Sequence, residues 1–327
     1  MLLSLRLSEA RHPKIMPHKP AWHVSRCALV LVIMHFLMLF WGIAAAQTTD
    51  RTAEGKAIPS QPKSALDQAT KPLQFGILPS LSTITLMRNY APLKSYLEKT
   101  LKREVIISTA PNFPEYIRRT GANEYDFILT APHFAKLTED RQGFTRLARI
   151  QEPLRGVFLV AQTSPYQKIA GLRDKTLAIR DNLAMVTLLG EQQLAGMGLQ
   201  LGRDINVTHS PSHTSAALSV VHGAADVALI SELAFRLLPS EDKNQLRVLA
   251  YTQPAPNIMF MANPRLGKNE TLRLRDALLH FNDDQINSAS FTQNTGYSAI
   301  GLISEPDMRF LIPFVTLLQQ RLPQELQ

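Results

Sequence analysis

The histidines are the first residues to examine for chemistry in this 327-residue chain. Beyond residue 46, none of them stands at a metal-ligand spacing from neighbouring acids. These five residues are His133, His209, His213, His222 and His280. His209 and His213 are four apart, but Pro211 between them argues against a shared helix face. The sequence also lacks the nucleophile elbow, the zinc-protease motif, the nucleotide phosphate loop and the dinucleotide fingerprint. We therefore predict a binding protein, not an enzyme, with no metal and no cofactor.

Hydroxyl-bearing loops after two predicted strands are better candidates for a site. Ser82 and Thr83 follow the first apolar run, and Thr130 ends a later one. In open parallel sheets, ligands bind beyond the carboxyl ends of strands, where helix N-termini present free N–H groups. We predict these three residues as ligand contacts, and turn or helix-cap roles are their alternative.

Residues 73–137 must position these loops. Short apolar runs alternate there with segments of helical period, as in a parallel sheet covered by helices. Apolar residues spaced by three and four between Leu86 and Leu101 predict the first helix. Asn89 is its predicted cap, which places Pro92 in the first turn, where a missing N–H costs little.

Three motifs occur in order within this stretch. They are Gly76-Ile77-Leu78-Pro79, then Tyr90-Ala91-Pro92-Leu93 with Tyr96-Leu97, and last Tyr125-Asp126-Phe127-Ile128-Leu129-Thr130-Ala131-Pro132. In order and spacing they resemble the periplasmic substrate-binding proteins of the phosphate/phosphite/phosphonate ABC transporters. The resemblance extends over most of the chain after about residue 73.

The resemblance implies an α/β fold of the type II periplasmic-binding-protein kind. Each of its two lobes is a mostly parallel sheet flanked by helices, and two crossing segments form a hinge. We assign residues 73–158 to lobe 1, 159–250 to lobe 2 and 251–327 to the completion of lobe 1. The hinge is predicted near residues 157–161 and 246–251. Ser304-Glu305-Pro306-Asp307 predicts a capping box opening a last helix, which Pro313 should kink or divide.

Residues 1–46 have the features of a signal peptide. A basic region precedes an apolar run from Cys27 to Ile43, and Ala44-Ala45-Ala46 offers a cleavage site. An uncleaved membrane anchor is the alternative. Residues 47–72 are polar, lack periodicity and contain three prolines, so they are predicted to be a disordered linker.

The composition of the chain without its predicted signal peptide, the leader at residues 1–46, excludes several functions. The leader holds five of the 35 basic residues and one of the 27 acidic residues, which leaves 30 and 26, a net charge of +4. That charge is too small for a nucleic-acid partner. The single cysteine leaves with the leader, which excludes disulfides and thiolate chemistry in the mature chain.

The resemblance also implies where an anion would bind in lobe 2. The family's Ser-Thr-Ser-Gly turn corresponds to Ala184, Met185, Val186 and Thr187, three of which have no hydrogen-bonding side chain. Phosphate-type specificity is therefore in question. Backbone amides could still bind there, and Asn182 or Arg180 could contribute, while Asp181 would oppose an anion.

Four further residues are predicted as ligand contacts. Ser212-His213 corresponds to a Ser-His pair in the family, which implicates His213 and its neighbour Thr214. Asp226 corresponds to the acid of a Gly-x-x-Asp segment, where it could meet a cationic ligand group or hold a loop. Tyr297 is a loop aromatic that could face the cleft. Phe134 stands where the family often has tyrosine, which favours core packing.

The resemblance implies a periplasmic solute-binding protein of an ABC transporter. We predict a monomer that captures a small anionic or zwitterionic ligand and delivers it to a membrane permease. A sensor domain that reports a ligand to a membrane partner is the alternative. Because apolar residues replace the hydroxyls, we expect weaker binding of simple phosphonates or a ligand with a hydrophobic portion.

Overall fold

The computed structural model describes residues 71–326. The predicted leader and nearly all of the predicted linker therefore lie outside the described residues. Within 71–326, two helix-flanked sheets form the two lobes, which confirms the predicted α/β fold class. Both sheets are mixed and not mostly parallel as predicted, because the strands next to the lobe connections run antiparallel to their neighbours. None of the helices in this range is long and apolar enough to cross a membrane.

Lobe 1 is built on a six-stranded sheet with the strand order β11-β4-β10-β3-β1-β2. Its strands are β1 (Leu73–Ile77), β2 (Val105–Ser108), β3 (Phe127–Thr130), β4 (Thr145–Ile150), β10 (Met259–Ala262) and β11 (Ile300–Gly301). β1 pairs in parallel with β2 and β3, whereas β10 runs antiparallel to β3 and β4. Six helices belong to this lobe: α1 (Thr83–Leu101), α2 (Phe113–Gly121), α3 (Pro132–Gln142), α8 (Gly267–Leu279), α9 (Gln285–Thr295) and α10 (Glu305–Arg321).

Lobe 2 is built on a five-stranded sheet with the strand order β7-β6-β8-β5-β9. Its strands are β5 (Gly156–Ala161), β6 (Thr176–Ile179), β7 (Asn206–His209), β8 (Val227–Ser231) and β9 (Leu246–Tyr251). Its helices are α4 (Met185–Ala195), α5 (His213–Val221), α6 (Glu232–Arg236) and α7 (Ser240–Lys243). Short 3₁₀ helices complete the described chain at Ile169–Leu172, Pro264–Leu266, Phe281–Asp283 and Gln324–Leu326.

Helix α1 begins earlier than the sequence pattern predicts. Ser82, not Asn89, is its N-cap and accepts a hydrogen bond from the Thr85 amide at 3.3 Å. Pro92 therefore lies inside the helix, where it cannot bond to the carbonyl of Arg88. The Asn294 side chain donates to that carbonyl at 3.3 Å and so satisfies part of the lost bond.

Helix α10 confirms one prediction and corrects another. Ser304 and Asp307 form the predicted capping box, with the Ser304 amide donating to Asp307 Oδ2 at 2.8 Å. Pro313 neither ends nor divides the helix, which runs from Glu305 to Arg321 as one element. Its buried face, including Met308, Leu311, Phe314 and Leu318, is continuous across the proline. Tertiary packing of this face holds the helix where its sequence predicts an interruption.

The two lobes repeat one arrangement at the amino ends of their parallel strands. In lobe 1, Asp126 precedes β3 and its Oδ2 accepts from the Gln74 amide at 2.7 Å. In lobe 2, Asp226 precedes β8 and its Oδ2 accepts from the Thr176 amide at 2.9 Å. Each aspartate therefore joins the starts of two neighbouring parallel strands, on the side of the sheet away from the helix N-termini.

Two segments, residues 151–155 and 252–258, connect the lobes. They pair with each other, since Leu154 and Ala255 exchange backbone hydrogen bonds of 2.9 and 2.8 Å. The boundaries expected from the sequence, 158/159 and 250/251, fall inside β5 and β9, which pair with each other in the lobe 2 sheet. We therefore propose that the lobe boundaries, and any hinge, lie in the two connecting segments instead.

The lobes are in direct contact beside the cleft between them. His133 of α3 hydrogen-bonds through Nε2 to the Leu183 carbonyl of lobe 2 at 2.8 Å. Arg180 of lobe 2 donates through Nη2 to the Pro79 carbonyl of lobe 1 at 2.7 Å. A continuous buried apolar cluster also runs from α3 and α10 into the first turns of α4. These contacts describe a closed arrangement of the two lobes.

Candidate functional site

A cavity of about 230 Å³ lies between the lobes, at the carboxyl ends of β1, β3, β6 and β8. Helix N-termini from both lobes border it, including those of α2, α3, α4 and α5. Residues of the second connecting segment and of the loop after α9 close the remaining sides. This is the position at which open α/β sheets bind ligands, and we call it the cleft.

Arg180 is the one charged side chain among the described residues that line the cleft. It follows β6, and its guanidinium carbon lies 4.7 Å from the centroid of the Phe113 ring on the opposite lobe. Nη2 bonds to Pro79, but Nε is buried without a hydrogen-bond partner among residues 71–326. Burial lowers the pKa of Arg180 against the opposing effect of Asp181, but the guanidinium stays charged at neutral pH. A half-buried cation whose Nε is an unused donor is suited to an anionic ligand.

His213 lies close enough to Arg180 for the guanidinium charge to affect the pKa of its imidazole. It is the first residue of α5, held there by the Ser212 cap, whose Oγ accepts from the Ser215 amide at 3.0 Å. Burial and, secondarily, Arg180 lower the pKa of His213 to about 4. The imidazole is therefore neutral at pH 7. Its Nδ1 is buried and unpartnered within the described chain, so the ring can donate to or accept from a ligand.

Ala184, Met185 and Val186 line the lobe 2 side of the cleft at the start of α4. Ala184 is the N-cap of this helix and provides no side-chain capping bond. The first-turn N–H groups of a helix have no partner within the helix, so backbone donors remain available here. Thr187 does not line the cleft; it is fully buried. The part of the wall formed by the start of α4 is thus apolar, with polar groups only from the backbone.

Neutral polar side chains complete the lining on the lobe 1 side. Tyr90 and Tyr297 are near each other, and burial raises the pKa of Tyr297 to about 12 and that of Tyr90 well above its usual value. Both phenols are therefore protonated and can donate. Asn89 also lines the cleft, and its Oδ1 is buried without a partner in the described range.

The sequence comparison decides the family. A family model described as the ABC transporter, phosphonate, periplasmic substrate-binding protein matches residues 75–305. The chain belongs to this family. The solved structures that resemble it include the following three proteins of low sequence identity, which show the fold.

PhnD1 of Prochlorococcus marinus, in complex with methylphosphonate, is 15% identical, with a TM-score of 0.68 over 76% of this chain and 99% of that one. The XAC2383 protein of Xanthomonas citri, bound to ATP, is 18% identical, with a TM-score of 0.67 over 78% of this chain and 100% of that one. The aliphatic sulphonate binding protein SsuA of Escherichia coli is 15% identical, with a TM-score of 0.57 over 77% of this chain and 92% of that one.

Two of the predicted contacts of this substrate-binding protein, His213 and Tyr297, do line the cleft. The three predicted lobe 1 contacts do not. Ser82 caps α1 and Thr83 is its first residue, both exposed. Thr130 is fully buried at the end of β3, and its hydroxyl lies next to that of Tyr116. Ser82 fits the alternative cap role, whereas Thr130 packs in the core, which neither the predicted contact nor its alternative describes.

The other three lobe 2 contacts predicted for the binding protein also lie elsewhere. Asn182 is exposed and lines a separate cavity with Asp181 and Arg321. Thr214 is exposed beside His213 and is not part of the cleft lining. Asp226 lies at the amino end of β8, where it bonds to Thr176. We leave these three residues out of the proposed site.

Sequence reasoning missed several lining residues. Asn89 and Tyr90 were assigned to capping and packing, and Asn294 lies in a helix that was not predicted. Phe134 is fully buried and packs edge-on against Phe113 with ring centroids 5.6 Å apart, in accord with its predicted packing role. Within residues 71–326, no group of three or more histidine, cysteine or acidic side chains could hold a metal ion.

Proposed function

We propose that this chain is the periplasmic substrate-binding component of an ABC transporter and that it captures a small organic anion between its two lobes. The observation that carries the proposal is Arg180, a desolvated cation with a free donor facing the cleft. We propose binding and release without a chemical step, by a monomer that delivers the ligand to a membrane permease.

The anionic character of the ligand follows from the cost of burying Arg180. Partial burial of the Arg180 guanidinium is unfavourable because the surroundings replace only part of its hydration, and Asp181 offsets that cost only in part. An anion that bonds to the guanidinium supplies the missing charge and uses the free Nε donor. The N-termini of α2, α3, α4 and α5 add partial positive charge to the same cleft.

The headgroup is phosphonate-like by family, and known structural relatives widen the choice. PhnD1 was solved with methylphosphonate, and SsuA is named for aliphatic sulphonates. Because Ala184, Met185 and Val186 replace hydroxyl donors, we expect simple phosphonates to bind more weakly here than in members that retain those hydroxyls. Each hydrogen bond to a charged group is worth about 1.5–3 kcal/mol.

A thermal-shift panel tests whether the cleft binds anions at all. It should contain phosphate, phosphite, sulfate, and alkylphosphonates, alkanesulfonates and carboxylates of one to five carbons. A ligand at about a hundred times its Kd adds about 2.7 kcal/mol to the free energy of unfolding and should raise Tm by several degrees. No shift with any of these anions at millimolar concentration would contradict the proposed function.

Closure of the lobes on the ligand is a second expectation. Opening at residues 151–155 and 252–258 would break the bonds of His133 and Arg180 across the cleft. Small-angle scattering should show a smaller radius of gyration when the best anion from the panel is added. A radius that is the same with and without ligand would argue against a hinge in these segments.

Export with removal of the leader is the remaining part of the proposal. Mass spectrometry of protein from an extracytoplasmic fraction should find a chain that begins at or near Gln47, after Ala44-Ala45-Ala46. Full-length protein held in the membrane would contradict this and would favour a tethered sensor over a soluble transport component.

A further inference from the structure

Among the described residues, the side chains that line the cleft carry positive charge but no negative charge. Among the described lining residues, Arg180 carries a charge and no aspartate or glutamate is present. The remaining polar side chains, such as Asn89, Tyr90 and Tyr297, are neutral. A positively charged ligand group would therefore share a cavity of about 230 Å³ with a guanidinium and with no carboxylate.

Asp181 and Glu152 line cavities outside the cleft, although Glu152 Oε2 is buried without a partner among the described residues. Asp181 accepts from the Leu183 amide at 2.7 Å and lines a separate cavity. Glu152 lines a small adjoining pocket and accepts from the Ser298 amide at 2.5 Å and from the Ser298 hydroxyl. Glu232, Arg155 and Arg236 line that same pocket, so its two carboxylates are balanced by two guanidinium groups.

The rest of the cleft wall is apolar and comes from both lobes. Side chains around the cavity include those of Leu78, Phe113, Leu154, Met185, Leu233 and Ile258. Such a wall stabilises aliphatic groups by removing them from water and offers nothing to a charged one.

We propose that the ligand of this cleft is an anion with an uncharged aliphatic substituent and that the cleft rejects anions that also carry an amino group. This inference restricts the class of ligand that the proposed function allows, and it rests on that function. Asn89 Oδ1 and the two phenol oxygens can accept a hydrogen bond from a ligand, but they supply no negative charge to an ammonium group.

Isosteric ligand pairs test this with the headgroup held constant. One pair is n-butylphosphonate and 3-aminopropylphosphonate, and the other is butane-1-sulfonate and 3-aminopropane-1-sulfonate. Titration calorimetry on the protein as isolated should show each amino compound binding at least a hundredfold more weakly than its partner, whichever headgroup is preferred. Affinity should also rise about fourfold per methylene from the methyl to the butyl compound until the cavity is full.

A charge variant tests the cause of the discrimination. Leu237 lines the cleft and is 64% exposed, so Leu237→Glu introduces a carboxylate without disturbing the core. Because an ion pair at such an exposed position is worth about 0.2–1 kcal/mol, we expect this variant to reduce the discrimination within each pair by up to about fivefold. Leu272→Glu, on α8 away from the cleft and at a position 42% exposed, is the control and should leave the ratio unchanged.

The outcomes separate this inference from the function on which it rests. If the amino compounds bind as well as or better than their partners, or if Leu237→Glu leaves the ratio unchanged, the inference is wrong and the anion-binding function stands. If none of the four compounds nor any anion of the panel binds, the proposed function fails, and the inference fails with it.

Discussion

Arg180→Gln is expected to weaken binding of the best anionic ligand by a factor of about 30 to several thousand, because removing one partner of a buried, hydrogen-bonded charge pair costs about 2–5 kcal/mol. Glutamine retains a donor but no charge, so the loss reports the electrostatic part of the interaction. The stability of the ligand-free protein should change little, since the lost contacts to Pro79 and Phe113 are opposed by relief of the cost of burying the guanidinium. Calorimetric titration and urea unfolding of the variant and wild type measure the two effects.

Arg173→Gln is a matched control for this substitution. Arg173 is an arginine of the same lobe whose side chain is 55% exposed and pairs with Asp204 outside the cleft. Asp204 keeps its second partner, Arg203, at 2.7 Å, so the control should change both affinity and stability little. Equal affinity in Arg180→Gln and Arg173→Gln would show that Arg180 does not contact the ligand.

Acid is expected to destabilise the protein through His133. This side chain is fully buried, and burial lowers its pKa to about 4, more than its bond to the Leu183 carbonyl raises it. The unfolded chain binds a proton near pH 6.5, whereas the native state does so only near pH 4. The free energy of unfolding should therefore fall as pH drops from about 6.5 to 4, by roughly 3 kcal/mol in total for this histidine, and level off below.

Urea unfolding of wild type and His133→Gln across this pH range measures the effect. Glutamine can donate to the Leu183 carbonyl but does not titrate, so the stability difference between the two proteins should shift by about 3 kcal/mol between pH 7 and 4. His213 adds a dependence of the same sign, but it is present in both proteins and cancels. His280→Gln, at an exposed position, controls for loss of a histidine. A parallel pH profile in wild type and His133→Gln would contradict the buried, neutral state of His133.

Most strands and helices could be predicted because their patterns are local. Apolar runs indicate the buried strands β1, β3 and β8, and the capping box at Ser304 indicates the start of α10. The predicted place of Pro92 in the first turn was wrong, and Pro313 does not divide α10, because contacts with residues distant in sequence hold both helices together. Asn294 supports the carbonyl freed by Pro92, and the packed face of α10 spans Pro313.

The family motifs indicate packing as much as function. A Cβ at Gly76 would lie 2.5 Å from the Tyr125 ring, so these two motif residues belong to one close contact in lobe 1. Asp226 likewise joins two strands at the edge away from the cleft. Residue order and type alone cannot distinguish a side chain that supports the sheet from one that meets the ligand.

The cleft residues were harder to predict because several elements converge there. Arg180 and His213 could be placed by the βα pattern, since each follows a strand of lobe 2. Tyr90, Asn89 and Asn294 come from the bodies or ends of helices and face the cleft only through the packing of α1 against α9. That contact joins residues 206 positions apart, Arg88 and Asn294, and no local pattern in the sequence encodes it.

A crystal structure of the protein with n-butylphosphonate or butane-1-sulfonate, whichever binds more tightly, tests the central claim most directly. We predict a headgroup oxygen within about 3.2 Å of an Arg180 guanidinium nitrogen, as a hydrogen bond requires. The alkyl chain should lie against Met185 and Leu233, with the lobes closed around it. A headgroup bound in the cavity beside Asn182 and Arg321, or held in the cleft without contact to Arg180, would contradict it.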